Sequence, residues 1–140
     1  MTISIDTNVI AALWSEHPAS NAAAATVLGD LIPQERLVVL GAVYGELMAG
    51  PLRDEEALDT FLADTGIEID WAMDEQVWRA AGRAYRTYVR RRNKSGGGHA
   101  RRILPDFLIG AHALVRGYTV LTLNSKDFRA AFPTLPTISA

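Results

Sequence analysis

The sequence predicts an α/β fold, a single domain over residues 1–140 built on a mostly parallel central sheet of roughly four or five strands with helices on both sides. Three observations predict it. Short β-branched runs alternate with helical runs along the whole chain. Leu37–Leu40 is continuously apolar, as strands covered on both faces are. Ile103–Phe128 reads as a helix, a Gly117 stop, a buried strand and a polar turn, the repeating unit of such a sheet.

Taken in order, Thr2–Ile5 is a first strand, and Asp6-Thr7-Asn8 follows at its carboxyl end before Val9–Trp14 takes up helical spacing. Asp6 thus stands at a strand-to-helix junction, where an Asp also serves as a simple helix cap. Pro18–Leu31 is a second helix with an alanine-rich surface that lets another element approach closely. After the Leu37–Leu40 strand, Ala42–Gly50 is a short helix ended by Gly50-Pro51, and Glu46 is the only charge between Arg36 and Arg53. A carboxylate rising from apolar neighbours is costly to bury unpaired, so Glu46 lies on an exposed rim or meets a cation.

Arg53–Asp64 is a charged helix with Leu58, Phe61 and Leu62 as its inner stripe, and Gly66–Asp70 alternates as a third strand. Met73–Arg92 is the longest helix. Trp78, Ala81, Tyr85 and Tyr88 are its expected core stripe, with Arg79, Arg83, Arg86 and Arg90 on the adjacent face. In the next helix Pro105 suits the first turn, which puts Asp106 where the macrodipole favours a negative charge. Gly117 ends that helix. Tyr118–Thr122 is then a buried strand that delivers Thr122, Asn124 and Asp127 to the edge where open α/β sheets bind their ligands. Ser125–Phe132 is a short helix, and Thr134–Ile138 an edge strand broken by Pro136.

Bulk charge is nearly balanced, at 14 basic against 16 acidic residues, but its distribution is not. Nine of the basic residues lie between Arg79 and Arg102, with no Asp or Glu among them. A row of arginines is ordinarily a solvated helix face; here it runs into the glycine-rich loop that precedes Asp106, and Arg86, Arg90, Arg91, Arg92, Lys94, Arg101 and Arg102 are the expected contacts to a polyanion. The absence of cysteine excludes a disulfide framework and a zinc–thiolate site. The amino terminus shows no secretory leader and no apolar run approaches a membrane span, so a cytoplasmic location is expected.

Strand ends and helix starts would bring Asp6, Glu46 and Asp106 to one edge. Carboxylates so close cannot all remain ionised without a cation among them, and hard oxygen donors without Cys or His select Mg2+ or Mn2+. The expected chemistry is metal-assisted hydrolysis of a phosphodiester held by the arginines. His112 falls away from the Asp106 face of its helix and is not expected to be a ligand; His99 in the basic loop suits phosphate better than metal.

At these residues the chain resembles a PIN-domain ribonuclease, in particular the VapC-type toxins of bacterial toxin–antitoxin pairs. The matching pieces are Ile5–Ile10 (IDTNVI), Tyr44–Leu47 (YGEL), Pro105–Ala113 (PDFLIGAHA) and Val120–Phe128 (VLTLNSKDF), in the family's order over nearly the whole chain. The resemblance implies that Asp6, Glu46 and Asp106 are acids of a metal site, that Asp6 and Asp106 bind the ion directly, and that Asn8 and Thr122 support them. The family often has a fourth acid in the turn after the strand, where this chain has Asn124. Either Asn124 lines the site as a neutral oxygen, which is the preferred reading, or Asp127 reaches in. With one charge fewer, a second ion should bind more weakly. The resemblance also implies an RNA substrate, a VapB-like antitoxin and homodimers.

A rival from another class is a non-catalytic PIN-like module that binds RNA or protein without cutting. A phospho-accepting receiver domain is disfavoured, because receivers pair two acids at the end of their first strand and here the neighbour of Asp6 is Thr7.

Overall fold

The computed structural model describes residues 1–50, 54–94, 96 and 104–140. Five strands form one sheet: β1 (Thr2–Ile5), β2 (Arg36–Leu40), β3 (Glu68–Asp70), β4 (Thr119–Thr122) and β5 (Thr137–Ser139). Their order is β3-β2-β1-β4-β5, and every neighbouring pair is parallel. The connecting helices are α1 (Thr7–Leu13), α2 (Pro18–Leu31), α3 (Gly41–Met48), α4 (Glu55–Thr65), α5 (Glu75–Lys94), α6 (Leu104–Arg116) and α7 (Ser125–Ala131). The chain steps from β1 outward through β2 to β3, crosses over, and steps from β4 to β5. Its direction of travel therefore reverses between β1 and β4, the place where sheets of this kind open a crevice for a ligand.

The sheet is parallel because both faces are covered. In β2 every residue after Arg36 is buried, all of β4 is buried, and Ile3 and Ile5 of β1 are fully inaccessible. Each such side chain removed from water contributes about 1.5–3 kcal/mol before the cost of ordering it. Local chemistry sets the helix ends. Asp54 caps α4 by accepting the N–H of Ala57 at 2.8 Å, and Gly66 ends the helix in the left-handed region at φ 71°. Gly117 does the same for α6 at φ 74°, where Tyr118 N–H reaches Ala113 O at 2.8 Å and Gly117 N–H reaches Leu114 O at 3.3 Å.

Three expectations need correction. The core-facing stripe of α5 is Val77, Ala80 and Ala81, with Tyr85 and Tyr88 half-buried, while Trp78 is 49% exposed. Small residues let α5 lie close against α6, and that close approach leaves no room for an indole between them. The last strand is confined to Thr137–Ser139, and Pro136, which has no N–H to give a sheet, precedes it and uses its carbonyl to accept the N–H of Val120 at 3.0 Å. Helix α4 begins at Glu55, and Pro51 and Arg53 lie outside the described residues.

Helices α5 and α6 pack side by side in opposite directions. Asp74, just before α5, accepts from Arg116 at the end of α6 at 3.3 Å, while Tyr88 in the later part of α5 meets the ring of Phe107 at the start of α6, centroids 5.5 Å apart. The cationic end of α5 is thereby brought alongside the first turn of α6. A part-buried polar pair fastens α6 to β3: His112, fully inaccessible, bonds Asp70 Oδ2 through Nε2 at 2.7 Å. Burial pushes Asp70 up, but the His112 bond, the Ala72 N–H and the nearby His112 and Arg116 charges outweigh it and leave its pKa below the ordinary 3.8. A depressed carboxylate stabilises the fold above its unfolded pKa and loses that contribution as pH falls through its folded value. Asp70→Asn should therefore lower the midpoint of thermal unfolding at neutral pH, with the difference from the parent shrinking below about pH 4; an unchanged difference across that range would contradict the assignment.

Candidate active site

The carboxyl ends of β1 and β4 meet at the reversal point, and the contacts between them are specific. Asp6 N–H donates to Leu121 O at 2.9 Å, which continues the ladder one residue past β1. Asp6 occupies the N-cap position of α1, yet its side chain makes no capping bond. It accepts instead the hydroxyl of Thr122 at 2.7 Å, across 116 residues of sequence. Asp6 is therefore not an ordinary cap of α1, although the backbone N–H of Thr7 also lowers the pKa of its carboxylate. Thr122 Oγ1 in turn accepts the N–H of Asn124 at 3.0 Å, so one hydroxyl both orients Asp6 and shapes the turn leading into α7. Asn8 closes the other side of that turn, its Oδ1 accepting the N–H of Leu123 at 3.2 Å.

Asp6 is 4% exposed, and its pKa is raised to about 6. Burial is the largest cause; the Thr122 hydroxyl opposes it, and the charges of Asp106 and Glu46 each add to it. The carboxylates of Glu46 on α3 and Asp106 on α6 thus both act on Asp6, which immediately precedes α1, although each lies 40 or more residues from it in sequence. Glu46 is half-buried and is held by the hydroxyl of Thr7 at 2.8 Å, neither a bare exposed rim nor a salt bridge. Thr7 is the residue that the sequence reading passed over. Its only signal was its place between Asp6 and Asn8.

The remaining candidates are distributed as follows. Asn124 is exposed at the N-cap of α7 with no capping bond from its side chain, at the mouth of the same crevice. Asp127 is exposed in the first turn of α7 and lines a groove between α5 and α7. Arg86, Arg90, Arg91 and Lys94 are exposed on the later half of α5, and Arg92 is half-buried there. Arg101, Arg102 and His99 lie outside the described residues. His112 is engaged by Asp70 on β3.

The donor set suits a hard divalent cation. Asp6 forms no ion pair among the described residues, and the groups raising its pKa include two further carboxylates, a repulsion that a cation would relieve. Among the described residues no group of three or more acidic, imidazole or thiol side chains is placed to hold a metal ion. An ion held by one or two carboxylates and completed by solvent is the habit of Mg2+ rather than of zinc.

The family model for the PIN domain matches residues 3–132. The chain belongs to the PIN domain family. No curated protein sequence matches it. Among solved structures, this PIN domain is similar in fold to VapBC-1 from nontypeable Haemophilus influenzae, at TM-score 0.65 and 23% identity over 99% of this chain and 98% of that one. It is similar also to VapBC2 from Rickettsia felis bound to a DNA fragment from its promoter, at 0.65 and 21% over 99% and 98%. A third is FitAcB from Neisseria gonorrhoeae, at 0.62 and 22% over 98% and 96%. No helix among the described residues of this PIN domain is long and apolar enough to cross a membrane.

Proposed function

We propose that this PIN domain is a divalent-metal-dependent endoribonuclease and the toxin of a VapC-type toxin–antitoxin pair. The observation that carries the reading is the buried, electrically crowded carboxylate of Asp6, set at the reversal point of the sheet with Asp106 and Glu46 acting on it. Membership of the PIN family supports a nuclease, and the shared fold with toxin–antitoxin complexes supports the toxin role.

In this reading Asp6 and Asp106 hold Mg2+ or Mn2+, and Glu46 lies at the edge of the same site. The ion would activate water and neutralise charge developing on the phosphate. Thr122 fixes the rotamer of Asp6, Thr7 aims Glu46, and Asn8 keeps the β4–α7 turn against α1. Asn124 lines the mouth with a neutral amide. The basic end of α5, with Arg86, Arg90, Arg91, Arg92 and Lys94, faces the RNA, and Arg101 and Arg102 would extend that surface. A VapB-like antitoxin and a homodimer complete the proposal, by analogy with the toxin–antitoxin complexes.

Purified protein should cut single-stranded RNA with Mg2+ or Mn2+ and stop in excess EDTA. Cleavage that persists in EDTA would overturn the metal reading, and binding of RNA without cleavage in any divalent ion would favour a non-catalytic module. Thr122→Val supplies a finer test. The Thr122 hydroxyl lowers the pKa of Asp6, so its loss should raise that pKa further above 6 and move the acid limb of the pH–rate profile upward. A profile that loses height without moving would contradict this role for Thr122.

A further inference from the structure

A groove of about 390 Å³ runs between α5 and α7. One wall is a single face of α5, on which Arg83, Thr87 and Arg91 recur every four residues; the floor is apolar, with Leu114 of α6, Tyr88 and Phe132. Arg83 and Arg91 are exposed, and neither forms an ion pair among the described residues. Arg86 and Arg90, on the same helix, do not line the groove. The lining contains one acid, Asp127.

The groove points to the site. The later half of α5 lies beside the first turn of α6, where Phe107 touches Tyr85 and Tyr88 and follows directly on Asp106. Helix α7 starts at Ser125, next to the turn held by Thr122 and Asp6. The end of the groove marked by Arg91 and Asp127 is therefore the end nearest the acids. Eight helical residues separate Arg83 from Arg91, a rise of about 12 Å, which an extended strand covers in about two nucleotide steps.

Resting on the ribonuclease reading above, we propose that this groove holds the single-stranded RNA flanking the cleaved bond, with phosphates on Arg83 and Arg91 and a base against the apolar floor. Charge selects this occupant. Two unpaired guanidiniums above an apolar floor match a strand that is anionic along one edge and aromatic along the other. Residues 54–78 offer no track for a polyanion, since they carry nine acids and no Lys or Arg. Asp127, at the mouth, sets the phosphates against the α5 wall and away from α7.

The test is fluorescence anisotropy of a labelled single-stranded RNA dodecamer bound to the full chain in EDTA, over a salt series, with cleavage in Mg2+ measured in parallel. The double variant Arg83→Ala/Arg91→Ala is expected to weaken binding about tenfold or more near 50 mM salt and to lower the slope of log K against log salt by about 1.4. Arg86→Ala/Arg90→Ala should change both by less. Ala130→Trp, at an exposed position in the groove wall, should weaken binding while leaving the slope nearly unchanged. Thermal unfolding of each variant should match the parent.

Equal losses from the two arginine pairs, or an Ala130→Trp variant that binds as the parent does, would overturn the groove assignment in favour of diffuse charge. Competition by polyglutamate as strong as that by unlabelled RNA would overturn it in favour of an acidic polypeptide. A parent that cuts RNA with groove variants that bind and cut unchanged defeats the groove alone. A parent that binds through the groove and cuts nothing defeats the ribonuclease reading alone.

Discussion

Asp6→Asn should abolish RNA cleavage and at the same time make the metal-free protein more stable at neutral pH. The first effect follows from the proposed role of Asp6 as a direct ligand, whose loss should lower cleavage by more than about 100-fold, the upper end of what removing a mere supporting group costs. The second follows from burial. Because folding raises the Asp6 pKa from 3.8 to about 6, the folded state favours the protonated acid. Its contribution to stability is fully present below pH 3.8 and is lost as pH rises through 6. Above that, the buried charge penalises the fold by up to about 3 kcal/mol. Asn cannot ionise and keeps an oxygen for the Thr122 hydroxyl, so it escapes the penalty. In EDTA its unfolding midpoint should exceed that of the parent at pH 7.5 and converge with it near pH 4. Added Mg2+ should narrow the gap by stabilising the parent alone. A variant that is inactive and also less stable at pH 7.5 would mean that Asp6 is a structural residue.

Gly110→Ala should destabilise the fold more than any other single methyl added to α6. A Cβ there would lie 2.3 Å from Cε2 of Phe132 and 2.6 Å from Cδ2, and that ring is buried, at 5% exposure. Overpacking of this kind costs about 1–3 kcal/mol and lowers the unfolding midpoint by several degrees. The ring must move or α6 must, and Asp106 sits one turn earlier on α6. Cleavage should therefore fall by more than the loss of folded protein explains. Trimming the obstacle tests the cause. In Gly110→Ala/Phe132→Leu the two costs should not add, with a coupling of about 1 kcal/mol. Strict additivity would show that the clash is not the source of the loss.

How far the sequence disclosed all this depended on whether a feature was local. Pro18–Leu31 was bounded to the residue, because a proline start and a run of helix formers are written in adjacent positions. The Gly117 stop and the parallel sheet were legible for the same reason: a left-handed cap needs glycine, and strands buried on both sides lose their alternation. Helical spacing places Trp78 in one stripe with Ala81, Tyr85 and Tyr88, but spacing alone does not say which adjacent face the partner helix meets. In α5 the helix contact is made by Val77, Ala80 and Ala81, whose smallness is the point, and the indole is left outside.

In the candidate site, Asp6, Glu46 and Asp106 were each legible as candidates, Asp6 at a strand-to-helix junction, Glu46 as the lone charge of an apolar stretch and Asp106 in a first turn that favours an acid. The hydroxyls that position them were less so. Thr7 reaches Glu46 across 39 residues, and His112 reaches Asp70 across 42, and no spacing within either segment announces the partner. The α5 arginines illustrate the same limit. Their number was visible in the chain, but only the placement of α7 separates Arg83 and Arg91, which face a groove, from Arg86 and Arg90, which do not.

The most direct test of the central claim is anomalous diffraction from crystals soaked in Mn2+. The account predicts a peak about 2.0–2.3 Å from carboxylate oxygens of both Asp6 and Asp106, lost in Asp6→Asn. Crystals that diffract well but show no peak there at saturating Mn2+, or place the ion on other residues, would contradict it.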